Sequence, residues 1–130
     1  MAEKIATVST KDAPAAIGPY SQAKIAGGFL FASGQIAINP ETGEIDGTDI
    51  RAQAERVMKN IGALLAAAGA GYDDVVRTEC FLADMGDFAE FNDVYGSYFP
   101  NRPARSCVAV RTLPKNVLCE VEITAWLGDQ

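Results

Sequence analysis

Arg105 and Glu120 are the two side chains best suited to chemistry in this chain of 130 residues. Arginine presents a planar fork that matches a carboxylate through two parallel hydrogen bonds. A glutamate near it can take a proton from water or orient that water. On neighbouring strands the same two residues could also form an ordinary cross-strand salt bridge, and spacing alone favours that plainer reading. Cys107 offers a thiol, but the chain contains no histidine to activate it. Arg105 beside it could lower its pKa; an inert thiol, or one that lends only its backbone, is the alternative. Tyr20 in Gly18-Pro19-Tyr20-Ser21, and Ser33-Gly34-Gln35, combine hydroxyls with glycines that let a ligand approach the main chain. Asn92 is a polar residue on an otherwise apolar helical stretch, facing either solvent or a cleft.

Composition narrows the chemistry further. The absence of histidine removes Ser-His-Asp and Cys-His catalysis and every histidine-containing metal site. Lysines and arginines are scattered and the formal net charge is -6, the opposite of the basic footprint that nucleic acid demands. Cys80, Cys107 and Cys119 are odd in number and form no C-x-x-C pair. No apolar run follows Met1-Ala2-Glu3-Lys4 and none approaches membrane-spanning length. Reduced thiols in the cytoplasm are therefore expected. An apolar content of 48% supports one packed domain over residues 1–130.

The elements that must position these residues are read from periodicity. Ile5 to Ser9 is a first strand, and Asp12 to Ser21 a loop broken by prolines and glycines. Ala23 to Ala26 and Phe29 to Ser33 flank Gly27-Gly28 as a hairpin. Thr48 or Asp49 caps a helix to about Ala68, with Ile50, Ala54, Val57, Ile61 and Leu65 on its apolar face. Val75 to Ala83 alternates as a strand, with Val76, Thr78, Cys80 and Leu82 to one side. Asp87 and Glu90 suggest a capping box opening a second helix, striped by Phe88, Phe91, Tyr95 and Phe99. Ala104 to Thr112 and Val117 to Leu127 are the last strands. If Leu113-Pro114-Lys115-Asn116 closes a hairpin, Val110 faces Cys119, Val108 faces Val121 and Ser106 faces Ile123, all toward the core. Arg105, Cys107, Glu120, Glu122 and Trp126 then share the other face. Two helices on one face of about six mainly antiparallel strands make an α+β fold. The mixed second face suits either solvent or packing against copies of the same sheet.

Ile17-Gly18-Pro19-Tyr20-Ser21-Gln22-Ala23, Phe31-Ala32-Ser33-Gly34-Gln35-Ile36, Asn92-Asp93-Val94-Tyr95, and Pro103-Ala104-Arg105-Ser106-Cys107 with Leu113-Pro114 and Glu120-Val121-Glu122 occur in order across nearly the whole chain. Together they resemble the RidA family, also called YjgF; Leu118-Cys119 is less typical of its signature. The resemblance implies a chorismate-mutase-like subunit and a homotrimer whose sheets form a central barrel with three clefts between subunits. It implies hydrolysis of enamines and imines, such as 2-aminoacrylate, 2-iminopropanoate and 2-iminobutanoate, to 2-keto acids and ammonia. By the same likeness Arg105 binds the substrate carboxylate and Glu120 handles the attacking water. Cys107, Tyr20, Ser33, Gly34 and Asn92 complete the pocket, some of them across the interface, with no cofactor and no metal. Two other readings stay open: a ribonuclease or translation inhibitor, and a non-catalytic small-carboxylate binder or chaperone-like protein.

Overall fold

The computed structural model describes residues 4–128; residues 1–3 and 129–130 of the expected domain lie outside it. Six strands and two α-helices follow in the order β1 (Ile5–Val8), β2 (Ala23–Ala26), β3 (Phe29–Ala32), α1 (Ile50–Ala67), β4 (Val75–Leu82), α2 (Phe88–Tyr98), β5 (Ala104–Ala109) and β6 (Cys119–Trp126). They form one sheet, ordered β1-β2-β3-β6-β4-β5. Gly27 and Gly28 turn β2 into β3 with φ of 59° and 82°, the left-handed pair that a two-residue hairpin needs. Asp49 caps α1, its Oδ1 accepting from Ala52 N at 2.8 Å. The capping box expected at Asp87 does not form. A 3-10 turn, Met85–Asp87, precedes α2, so the cap falls to Asp84, which accepts from Gly86 N at 2.7 Å. Glu90 instead reaches Arg51.

The expected hairpin between the last two strands is not made. β6 lies between β3 and β4, and β5 pairs in parallel with the far side of β4. The cause is α2. A strand-helix-strand connection returns the chain to the end of the sheet where it began, so β5 runs parallel to β4. Residues 110–118 then carry the chain past β4, and β6 enters antiparallel to both its neighbours. β6 suits that central place, because Cys119, Val121, Ile123 and Ala125 are all buried. β5 remains at the edge, and its side chains sort opposite to expectation. Ser106 and Val108 are exposed, while Arg105 and Cys107 stand in register with buried Thr78 and Cys80 and face the helices. A bulge near Val76 likewise buries Val75 and exposes Val76.

Buried amides tie the layers together. Asn60 of α1 is fully buried, and its Nδ2 donates to Ile36 O and Ile38 O at 3.0 and 2.9 Å. Gln53 Oε1 accepts from Leu118 N at 2.8 Å, just before β6. Tyr72 packs on Tyr98 and Phe99 and donates its hydroxyl to Met58 O at 2.7 Å. On the open sheet face Glu79 lies directly opposite Glu122. The hydrogen bond between these carboxyls, with burial and repulsion from Glu79 and Glu120 behind it, pushes Glu122 up to about 7. The same bond, with Arg77 beside it, holds Glu79 down.

Two predictions follow from this packing. Helix propensity alone makes Gly62→Ala favourable by about 1 kcal/mol. A Cβ at Gly62 would overlap the Tyr72 hydroxyl, so the variant is expected to unfold at lower temperature, by about 1–2 kcal/mol net. A higher melting temperature would refute that packing. The second concerns pH. The folded chain holds the Glu122 proton to about pH 7, whereas the unfolded chain releases it in the ordinary carboxylate range. Stability from Glu122 therefore declines as pH rises across that window. Glu79, held down, acts in the opposite sense, losing its contribution only as pH falls through its lowered value. Glu122→Gln keeps a donor toward Glu79. It should match the native protein in thermal melts at about pH 5 and exceed it at about pH 8.

Candidate active site

The expected site residues fall into two groups that do not meet within one chain. The first is built on α2 and β5. Arg105 lies beside Thr78 on β4, and the pleat turns its side chain toward α2. There its Nη1 donates to Asn92 Oδ1 at 2.7 Å. The guanidinium lies 4.8 Å from the Tyr95 ring centroid and 5.5 Å from that of Phe88. Phe88, Asn92 and Tyr95 stand four and three residues apart, which puts them on one helix face. Tyr95 is fixed in turn by a 2.7 Å hydrogen bond between its hydroxyl and Thr78 Oγ1. No carboxylate pairs with Arg105 among the described residues. A cavity of about 720 Å³ opens over this group. Cys107 lies on the same face of β5; burial pushes its thiol up, and Arg105 only partly offsets this. Such a thiol stays protonated and is a weak nucleophile.

The second group is built on β6 and the segment after β3. Gln35 N donates to Val121 O at 2.8 Å and Val121 N to Gln35 O at 3.1 Å, which lays Gly34 directly against Glu120. A Cβ at Gly34 would overlap the Glu120 carboxylate, so only glycine leaves that carboxylate its place. Ser33 Oγ donates to Ser21 O at 2.6 Å, drawing the loop that bears Tyr20 onto the same cavity. Gln22 secures that loop from beneath: its Oε1 accepts from Thr10 N at 2.7 Å and its Nε2 donates to Pro14 O at 2.8 Å. Tyr20, Ser33, Gly34, Lys115 and Glu120 line a cavity of about 560 Å³. Burial raises the Glu120 pKa, which makes its carboxylate a better base than a free one.

β4 separates the two groups. Arg105 and Glu120 sit two strands apart and on opposite faces of the sheet, roughly 14 Å apart at Cα from strand spacing and rise. The pairing expected from a terminal hairpin is therefore not a feature of one subunit. The structure unites Arg105 with Asn92, and Glu120 with Tyr20, Ser33 and Gly34. It also adds residues that sequence reasoning took for packing or passed over. Phe88 and Tyr95 cradle the guanidinium; the available signal was a lone asparagine on their aromatic face. Gln22 and Asn60 position the second cavity from buried sites; Gln22 lies within the motif of residues 17–23, whereas no local pattern marks Asn60. Among the described residues no group of three histidine, cysteine or acidic side chains is placed to hold a metal ion, and no helix is long and apolar enough to cross a membrane.

Comparison with known proteins places this geometry. The profile of a family described as Endoribonuclease L-PSP matches residues 10–127. A Lactococcus lactis protein named Putative regulator AldR is 54% identical over 119 residues, covering 91% of this chain and 94% of that one. The 2-iminobutanoate/2-iminopropanoate deaminase of Escherichia coli K12 is 45% identical over 123 residues, covering 92% and 95%. The crystal structure of E. coli TdcF with bound serine has a TM-score of 0.90 at 40% identity, covering 95% of this chain and 99% of that one. With matches of this extent in both sequence and fold, the chain belongs to the Endoribonuclease L-PSP family, the group that contains the RidA deaminases.

Proposed function

We propose that this protein hydrolyses reactive 2-imino acids and their enamine tautomers to 2-keto acids and ammonia, at sites completed between copies of the chain. One observation carries the reading: a guanidinium with no carboxylate partner and a glutamate whose pKa burial raises each line a cavity that lacks the other. Association would bring the Arg105 half of one subunit to the Glu120 half of its neighbour. The open sheet face supports this, since Phe31, Val108 and Trp126 leave 48%, 48% and 41% of their surface exposed. Ile17, 85% exposed at the mouth of the Glu120 cavity, is another apolar group awaiting cover. A closed ring of three such contacts, the homotrimer expected from family likeness, satisfies every half-site. The three free thiols suit the cytoplasm.

The mechanism needs only these groups. Arg105 takes the substrate carboxylate in its fork, already aligned by Asn92 and the two rings. Glu120 takes a proton from water as the oxygen adds to the imine carbon. That proton passes to nitrogen to give a carbinolamine; the hydroxyl's own proton then follows to the same nitrogen by way of Glu120 as the C–N bond breaks, leaving a carbonyl and ammonia. Water and imine supply every atom of the products, so nothing is oxidised or reduced. Tyr20, Ser33 and the bare Gly34 backbone shape the water side, and Cys107 borders the carboxylate side. A net charge of -6 and an acidic pair on the open face weigh against the ribonuclease reading in the family's name.

The test is a coupled assay of keto-acid release from 2-iminopropanoate and 2-iminobutanoate. Arg105→Ala is expected to lower kcat/KM at least about a hundredfold without disrupting assembly. Unchanged activity in that variant, or RNA cleavage that Arg105→Ala abolishes in place of imine turnover, would sink the proposal. Shared sites make a second prediction. Arg105→Ala and Glu120→Gln, each inactive alone, should regain roughly a quarter of native sites when refolded together in equal amounts, because random mixing of a heterologous ring reunites intact halves at that rate. Mixed assemblies with no regained activity would show that both residues serve from one chain.

A further inference from the structure

The cavity over Arg105 is also lined by a second arginine, Arg102. Asn92, Tyr95 and Phe99 share the wall, and no carboxylate does. Asn92 already accepts from Arg105, and the Tyr95 hydroxyl is taken by Thr78. Among the described residues the Arg102 side chain has no hydrogen bond or ion pair. Two arginines therefore border one cavity whose lining holds no acidic side chain.

The backbone at Arg102 is also held at a cost. Its φ is 53°, in the left-handed region that ordinary side chains avoid. It precedes Pro103, which pushes the residue before it toward extended conformations. The turn itself, in which Arg102 N donates to Phe99 O at 3.1 Å, would be easier for glycine. Strain of this kind concentrates where a side chain must be aimed. The described non-glycine residues with positive φ are Arg102, Lys115 and Asn116, and Arg102 and Lys115 line the two half-site cavities.

From this geometry we infer that Arg102 is a second anion contact, and that the site favours imines whose side chain ends in a carboxylate, those of acidic amino acids, over imines with a plain alkyl chain. The assignment rests on the deaminase reading for its substrate but not for its ligand. Arg105 takes the carboxylate beside the imine carbon, and Arg102 takes the distal one.

Calorimetric titration of the full chain with 2-oxoglutarate and with 2-oxobutanoate reads this directly. The native protein should prefer the diacid by about tenfold, the scale of one charge-assisted contact. Arg102→Gly, which accepts the positive φ, should bring the ratio of affinities close to one. Arg102→Lys should keep most of it, which a purely structural role for the residue would not require. Equal affinities in the native protein, binding of neither acid, or a ratio that Arg102→Gly leaves in place would overturn the assignment. The imine assay separates this from the underlying reading. A diacid preference without turnover of any imine refutes the deaminase and leaves Arg102 in place; turnover without the preference does the reverse.

Discussion

The pleat of a single sheet governs everything this molecule can do. Adjacent strands present registered residues to the same face, so Arg105 beside Thr78 must look toward the helices. Glu120, beside Phe81 on the other side of β4, must look away from them. No side-chain rotation crosses a sheet. Once β6 has entered between β3 and β4, the guanidinium and the carboxylate are committed to different sides, and each builds its own cavity from its own neighbours.

Each cavity is held in shape by side chains around and behind its Arg105 or Glu120. On the Arg105 side, Thr78 fixes Tyr95, the guanidinium lies over the Tyr95 and Phe88 rings, and Asn92 accepts its hydrogen bond. On the Glu120 side, Asn60 reaches across the core to hold the segment that follows Gly34, and Gln22 holds the loop that carries Tyr20. Buried amides need full hydrogen bonding to be tolerated, and among the described residues no buried polar side chain lacks a partner. That satisfaction makes these segments stiff enough to shape a site without regular secondary structure.

Local signals in the sequence were sufficient for most features whose partners are close in the chain, the capping box at Asp87 excepted. The Gly27-Gly28 turn, the Asp49 cap and the apolar face of α1 were all legible. So was the placing of Cys80 and Cys119 in the core, because alternation and helical spacing are properties of the segment itself. Strand order is not. Residues 104–109 and 119–126 alternate equally well as a hairpin or on either side of β4. The choice is made by α2, which obliges β5 to run parallel to β4. That one non-local fact reversed the facing of Arg105 and Cys107, exposed Val108, and dissolved the cross-strand pair. The bulge that turns Val76 outward is non-local in the same way. Site residues were still recognisable by type and motif, but their grouping depended on topology that no window of sequence contains.

The separation has a chemical consequence that favours the proposed reading. Had Arg105 and Glu120 been cross-strand neighbours, they would have formed a salt bridge. The carboxylate would have filled the fork meant for a substrate, and the guanidinium would have pulled the glutamate pKa down. Both groups would have been weakened for their proposed tasks. Placed on opposite faces, Arg105 stays unpaired while burial alone sets the pKa of Glu120 and raises it. A site assembled from two such halves can hold an anion and a base at close quarters only when a substrate, whose own charge occupies the cation, lies between them. Within one subunit the sheet thus keeps an acid-base pair from neutralising itself, and the single intervening strand β4 is all the insulation that requires.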